Sequence, residues 1–179
     1  GNQYEALACK FDEDIKDDLY YLCENGTKIV YQGKTLYKKA LEISEFYPEA
    51  DKKLIREGAL LHDIGRSKSN NIDHAYIGGQ IAKELGYSQE VINIIERHIG
   101  TGISKKESEK MNIPTKDYIP KTLEEKIVAH ADNLLNGSTE VDVEFTADKW
   151  KKRLGKNHPS INKLYKNHEE LIKSKRLKQ

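Results

Sequence analysis

The chain has 179 residues, of which 37% are hydrophobic and 33% charged, with a formal net charge of +1. That length suits one domain with a substantial core, and we expect residues 1–179 to form a single domain. No stretch approaches the ~20 apolar residues of a membrane helix, no secretory signal is evident, and Cys9 and Cys23 lack metal or redox spacing, which excludes a membrane partner and predicts a cytoplasmic protein.

Apolar residues recur with helical spacing along nearly the whole chain, and no segment alternates as a strand does. The predicted helices cover residues 13–24, 28–47, 50–64, 71–85, 89–99, 105–111, 122–136, 144–154 and 160–175. Gly26, Gly65, Gly86 and Gly100 follow positions where a glycine can cap a helix C-terminus. The sequence therefore predicts an all-α protein with a compact core over about residues 15–140.

The last predicted helices, about residues 144–175, are strongly basic. From Asp148 onward the formal charge is about +8, so the preceding part is net acidic. We interpret this segment as a solvated appendage packed on the core. A landing site for nucleic acid or for a polyphosphate is the alternative. Because no interleaved aromatic residues and no known module accompany the charge, the sequence argues against nucleic-acid binding.

Four of the predicted helices place an ionisable side chain on or beside their apolar face. These side chains are His62 with Asp63, His74, His98 and Asp132. Each one alone is more often a hydrogen-bonded core residue or a cap than a ligand. Together they require partners, because an unpaired buried charge costs several kcal/mol and few inward lysines or arginines are available. Imidazoles and carboxylates bind Mn, Fe, Zn, Ni or Co, so the set predicts a metal site.

The run LLHDIG at residues 60–65 resembles the signature of HD-domain phosphohydrolases. Asp132, in the run IVAHAD, resembles the last aspartate of that family's H…HD…D pattern. His74 and His98 match the additional histidines of the subgroup that holds two metals. The runs ERHIGTGI at 96–103 and LEEKIV at 123–128 are similar to small stand-alone HDIG proteins of archaeal type.

This resemblance covers roughly residues 15–175 and implies an all-α fold whose helices project metal ligands. It implies one metal position at His62, Asp63 and Asp132 and another at Asp63, His74 and His98. The implied cofactor is one or two divalent ions, from Mn, Fe, Ni, Co, Zn and Mg.

One position departs from the family pattern. Gln32 stands where the first histidine ligand is expected, on the same predicted helix face as Leu36 and Ile43. Its amide oxygen can bind a hard metal, but it is a poorer ligand than imidazole for a borderline metal. The first metal position is therefore expected to be the weaker one.

The resemblance implies hydrolysis of a phosphomonoester or phosphodiester, in a nucleotide or a related small molecule, by metal-activated water. Asp63 would bridge the metals, while Arg66 and Lys68 are candidates to hold the substrate phosphate or are solvated loop charges. The alternative is a regulatory module that binds metal and nucleotide with little or no turnover. A homodimer is compatible with the sequence.

The remaining histidines are not part of the predicted metal site. His130 lies two residues before Asp132, and residues two apart do not share a helix face, so we expect it to be partly exposed or to support a ligand. His158 and His168 lie in the basic segment and are assigned no role.

Overall fold

The computed structural model describes residues 27–177, with side chains from residue 33 onward. The predicted helix 13–24, Gly26, both cysteines and the side chain of Gln32 lie outside the described part. The described elements are α1 (Thr27–Ser44), α2 (Lys52–Leu61), a 3-10 turn (Ile64–Ser67), α3 (His74–Glu84), α4 (Gln89–Glu96), α5 (Lys105–Ser108), α6 (Leu123–Asn133), β1 (Leu135–Asn136), β2 (Thr139–Glu140), α7 (Val143–Leu154), α8 (Pro159–His168), a π-helical turn (Glu169–Lys173) and α9 (Ser174–Arg176).

The predicted all-α class is confirmed, with one local exception. The helix predicted over 122–136 ends at Asn133, and β1 pairs with β2 in an antiparallel hairpin. The hairpin turns at Gly137, whose φ of 64° is easily reached only by glycine. The expectation that the chain holds no strand is therefore wrong here, and the Asn136-Gly137 pair is the turn signal that reveals it.

Two apolar clusters form the core, and α2 contributes to both. Ile55 and Ala59 pack in the first cluster, with residues of α1, α6, α7 and α8. Leu60 and Leu61 pack in the second, with residues of α3 and α4. A helix buried on both sides ends where the two clusters meet, and the residues that follow it are therefore held deep inside the protein.

The basic C-terminal segment is built into the first cluster. Trp150 of α7, Leu164 of α8 and Ile172 of the π-helical turn are buried there beside residues of α1 and α2. The hydroxyl of Tyr47 also donates a hydrogen bond of 2.8 Å to the carbonyl of Leu171. The segment expected to lie on the core thus supplies part of it. None of the helices between residues 27 and 177 is both long and apolar enough to cross a bilayer.

Candidate metal centre and its pocket

His62 and Asp63 lie at the end of α2, where the chain enters the 3-10 turn. His62 caps α2 with helical backbone angles, and Asp63 precedes the turn with φ −101° and ψ 14°. Both side chains are buried, at 2% and 6% exposure. The apolar stripe of α2 explains this position, because it carries the end of the helix into the junction between the two clusters.

Gly65 brings α3 against this turn. A Cβ atom at Gly65 would lie 1.8 Å from the carbonyl oxygen of His74 and 2.7 Å from the backbone nitrogen of Gly78. Its φ is not positive, unlike that of Gly86 at 90°. The interpretation of Gly65 as a C-terminal cap is therefore wrong: glycine is required because two backbones touch. This close approach carries His74, the first residue of α3, towards Asp63.

The carboxylate of Asp63 lies at the centre of the predicted ligands. Its Oδ1 lies 3.4 Å from Nε2 of His74 and 3.5 Å from Nε2 of His98. Its Oδ2 lies 3.4 Å from Nε2 of His62 and 3.2 Å from Nε of Arg66. His98 comes just after α4, which ends at Glu96. The two oxygens of Asp63 thus face two different groups of side chains.

Asp132 completes one of these groups. Its Oδ1 lies 3.7 Å from Nε2 of His62, and its side chain on α6 is 32% exposed. The structure therefore brings together five side chains from four places in the chain: His62 with Asp63, His74, His98 and Asp132. The residues of both positions that the family resemblance implies, His62–Asp63–Asp132 and Asp63–His74–His98, therefore lie close together.

Each of the three histidine rings is oriented by the backbone three residues before it. The Nδ1 atoms of His62, His74 and His98 lie 2.9, 2.8 and 2.6 Å from the carbonyl oxygens of Ala59, Asn71 and Ile95. Since a carbonyl only accepts, each Nδ1 donates, and a neutral ring then carries its lone pair on Nε2. Metal-binding histidines are oriented in this way.

The Nε2 atoms also crowd one another in a way that a cation would relieve. Those of His74 and His98 are only 3.3 Å apart. Ligand atoms of His62, Asp63 and His98 all lie within 4.8 Å of one another. Converging imidazole nitrogens around a carboxylate are a normal donor set for a divalent metal, so these residues fit such an ion.

The electrostatics of the cluster favour a positive charge. Burial alone would lower the pKa of His62, but the carboxylates of Asp63 and Asp132 raise it to about 9. Burial would raise the pKa of Asp63, yet the histidines that surround it hold that pKa well below its usual range. A metal that binds beside His62 must therefore displace a proton, and its affinity should increase with pH.

The cluster opens into a cavity of about 430 Å³. Arg66 lines this cavity, whereas Lys68 is exposed at the end of the 3-10 turn and does not. Part of the lining comes from the basic C-terminal segment, mainly α7, together with His158. The sequence interpretation favoured a solvated appendage for this segment, with a landing site for a polyphosphate as the alternative, and it gave His158 no role. The lining residues of α7 recur four positions apart in the sequence. This spacing identifies them only once the side of α7 that faces the cavity is known.

His130 lies outside this cavity and is buried, so the expectation of partial exposure is wrong. Its Nε2 lies 2.9 Å from Nδ1 of His168, on α8. Burial lowers the pKa of His130 to about 3. The two rings therefore form a neutral buried pair between α6 and α8, apart from the metal cluster.

An ion pair fixes the chain next to His98. Nη1 of Arg97 lies 2.7 Å from Oε1 of Glu125, which also accepts a hydrogen bond of 3.0 Å from the backbone of Lys121. Burial would raise the pKa of Glu125, but these contacts keep it below its usual value. The pair ties the end of α4 to the start of α6, so it holds His98 relative to Asp132.

We expect Arg97→Met to lower the free energy of unfolding by about 3 kcal/mol, because it leaves a buried carboxylate without its cation. Urea unfolding followed by circular dichroism measures this loss. Lys121→Met is the control: its ion pair with Asp117 is largely exposed, and the expected change is below about 0.5 kcal/mol. Equal losses in the two variants would show that the Arg97 pair has no special weight.

Comparisons of the sequence and of the fold with known proteins point to the same family. The HD domain family model matches residues 34–137. An uncharacterized protein of Methanocaldococcus jannaschii is 51% identical over 128 residues, which cover 72% of this chain and 76% of that protein. A tRNA (cytidine(56)-2'-O)-methyltransferase of Picrophilus torridus is 44% identical over 144 residues. That match covers 80% of this chain but only 41% of the methyltransferase, so the chain spans less than half of that relative.

A solved structure extends the likeness in fold. The HD domain of the L. monocytogenes phosphodiesterase PgpH, in complex with cyclic-di-AMP, superposes with a TM-score of 0.52. The superposition covers 90% of this chain and 92% of that domain, at 18% sequence identity. At that identity the likeness establishes a shared helical fold.

Proposed function

Because this chain belongs to the HD domain family, we propose that it is a metal-dependent phosphohydrolase that cleaves a phosphomonoester or phosphodiester of a nucleotide or related small molecule. The observation that carries the proposal is the convergence of three histidine Nε2 atoms on one buried carboxylate, Asp63, at the wall of an open cavity. A substrate can therefore reach the same point that a metal would occupy.

In this proposal His62, Asp63 and Asp132 hold one ion, and Asp63, His74 and His98 hold a second. A bound divalent ion lowers the pKa of a water molecule towards neutrality and neutralises charge on phosphoryl oxygens. Asp63 serves both positions because its two oxygens face different groups. The backbone carbonyls behind the rings keep each Nε2 free of its proton when the imidazole is neutral.

We assign the substrate phosphate to Arg66. Its guanidinium lies against Oδ2 of Asp63 and lines the cavity, so its remaining N–H groups are close to the cluster. Arginine can offer two parallel hydrogen bonds to a phosphate. Lys68 lies outside the cavity, and we give it no contact with substrate.

A structural neighbour supports a nucleotide as the ligand but does not identify which nucleotide. The PgpH domain that shares this fold was solved with cyclic-di-AMP. Methyl transfer to tRNA is the activity of relatives that are more than twice the matched length, and we do not extend it to this chain. The alternative function is a module that binds metal and nucleotide with little turnover, which the glutamine at position 32 favours.

Metal content and turnover, measured on the same preparation, separate the two functions. We expect elemental analysis to give one or two divalent ions per chain. With Mn²⁺, Ni²⁺ or Co²⁺ added, we expect the protein to release phosphate from nucleotides or nitrophenol from p-nitrophenyl esters. A protein that holds metal yet hydrolyses none of these substrates would be the binding module.

The Gln32→His variant is expected to strengthen the first metal position. An added imidazole should tighten that metal by about tenfold or more, since even an outer partner of a ligand changes affinity by 10- to 100-fold. Hydrolysis should accelerate in parallel. Metal titration and steady-state kinetics measure both, with Gln32→Ala as the control that adds no ligand. If the histidine variant changes neither quantity, position 32 is not a ligand position.

A further inference from the structure

One stripe of α7 lines the same cavity as the candidate metal ligands. Successive pairs of residues, each four positions apart, line the cavity: Phe145 and Thr146, Lys149 and Trp150, Arg153 and Leu154. At 1.5 Å per residue the stripe is about 12 Å long. A surface of this length exceeds what a single phosphoryl group at the metal centre can contact, so it faces the rest of the substrate.

The stripe carries large apolar side chains that are exposed rather than packed in the core. Phe145 and Leu154 are 45% and 41% exposed, and Ile72, which lines the same cavity, is 39% exposed. These are three of the five large hydrophobic side chains that are exposed in the part of the chain that the structure describes. Their clustering at one cavity is typical of a binding site that takes an apolar or aromatic group.

The same stripe carries two cations that pair with no carboxylate of the described side chains. Lys149 Nζ contacts only an amide oxygen, Oδ1 of Asn136, at 3.3 Å. Among residues 33–177, none forms a hydrogen bond or an ion pair with Arg153. Glu107 also lines the cavity, but its carboxylate accepts the backbone N–H of Ser104 at 2.9 Å in the cap of α5. Lys149 and Arg153 are therefore free to bind an anion.

We propose that α7 selects the substrate: Lys149 and Arg153, one helical turn apart, bind a second phosphoryl group, and the exposed apolar surface beside them contacts the base. The substrate class is a nucleotide with at least two phosphoryl groups, one at the metal centre and one on α7. This inference rests on the proposed function, because it takes one phosphoryl group of the substrate to bind at the metal cluster. A substrate with a single phosphoryl group would then leave both cations unused. A cavity of about 430 Å³ is within the usual size for such a ligand.

The test compares ligands that differ by one phosphoryl group. Isothermal titration of the metal-loaded protein with α,β-methylene-ADP, AMP and adenosine measures binding without requiring turnover. We expect the diphosphate analogue to bind at least about tenfold more tightly than AMP, which corresponds to about 1.4 kcal/mol. Arg153→Ala and Lys149→Ala should each remove most of this preference while changing AMP affinity less than about twofold, and Arg153→Lys should retain part of it.

Lys152→Ala is the matched control, because Lys152 is an exposed cation on α7 that does not line the cavity. It should bind all three ligands as the wild type does. Equal affinity of the wild type for the diphosphate analogue and AMP, or equal effects of the Lys152 and Arg153 variants, would overturn the inference. Thermal melting of each variant identifies any that fails to fold, and Arg153→Gln then replaces it.

Turnover of p-nitrophenyl phosphate, measured separately, keeps the two proposals distinguishable. Hydrolysis of this single-phosphate ester without any preference for the diphosphate analogue leaves the phosphohydrolase and removes the role of α7. A preference that depends on Arg153, with no hydrolysis under any metal, leaves the role of α7 and removes the enzyme.

Discussion

Asp63→Asn is expected to abolish metal-dependent hydrolysis, lowering kcat/KM by about a thousandfold or more, or about 4 kcal/mol of transition-state stabilisation. The carboxylate of Asp63 contacts His74 and His98 through one oxygen and His62 and Arg66 through the other. Asparagine keeps the shape but loses the charge and one of the two acceptors. Both metal positions should therefore weaken together, whereas a change at His74 should affect only one.

Elemental analysis and thermal melting with and without a chelator measure this effect independently of turnover. We expect metal to raise the melting temperature of the wild type, because an ion that binds only the folded state stabilises it. The variant should show neither bound metal nor a response to the chelator. Asp73→Asn is the control, since Asp73 pairs with Ser69 and does not line the cavity. Wild-type metal content in the Asp63 variant would refute the assignment of both positions.

Gly65→Ala is expected to lower the free energy of unfolding by about 3 kcal/mol or more. The new methyl group would meet the backbone of α3, at His74 and Gly78, and no flexible side chain is there to move aside. The 3-10 turn and α3 must separate, which also displaces His74 from Asp63. Metal affinity should therefore fall with stability, although Gly65 itself binds nothing.

Urea unfolding of the metal-free protein measures the stability loss, and metal titration of the folded variant measures the second effect. Gly86→Ala is the matched control: its φ is 90°, but apart from its own chain neighbours no atom of the described residues lies within 4 Å of the added Cβ. Backbone strain alone should cost it about 1 kcal/mol, with no change in metal binding. A Gly65 variant as stable as the Gly86 variant would contradict the role of the close backbone contact.

The sequence predicted that these ionisable side chains lie together because they share a property that periodicity reveals. His62, His74 and His98 interrupt apolar stripes, and an inward polar residue needs a partner whatever the tertiary arrangement. The local spacing also predicted most of the helices. What joins these helices is not local, and the role of Gly65 was misread for that reason: its neighbour is the backbone of α3, which periodicity does not place.

The residues of α7 that line the cavity could not be singled out from the sequence for a related reason. Lys149 and Arg153 are two of many cations in a basic segment, and their charge alone does not distinguish them from Lys152. Only the packing of Trp150 into the core decides which side of α7 turns towards the metal centre. Lys68, by contrast, follows the HDIG turn closely in sequence, but the chain turns it away from the cavity.

The hydrogen bonds from the three Nδ1 atoms to backbone carbonyls make this arrangement of rings suitable for transfer to another protein. Each Nδ1 uses a carbonyl three residues earlier, at Ala59, Asn71 and Ile95, so a short stretch of main chain orients each ring. Among the side chains of residues 33–177, no distant one accepts a hydrogen bond from these Nδ1 atoms. The surrounding apolar residues can therefore change in evolution while the rings keep their orientation. Each four-residue stretch is also a self-contained unit for grafting onto a new helical scaffold.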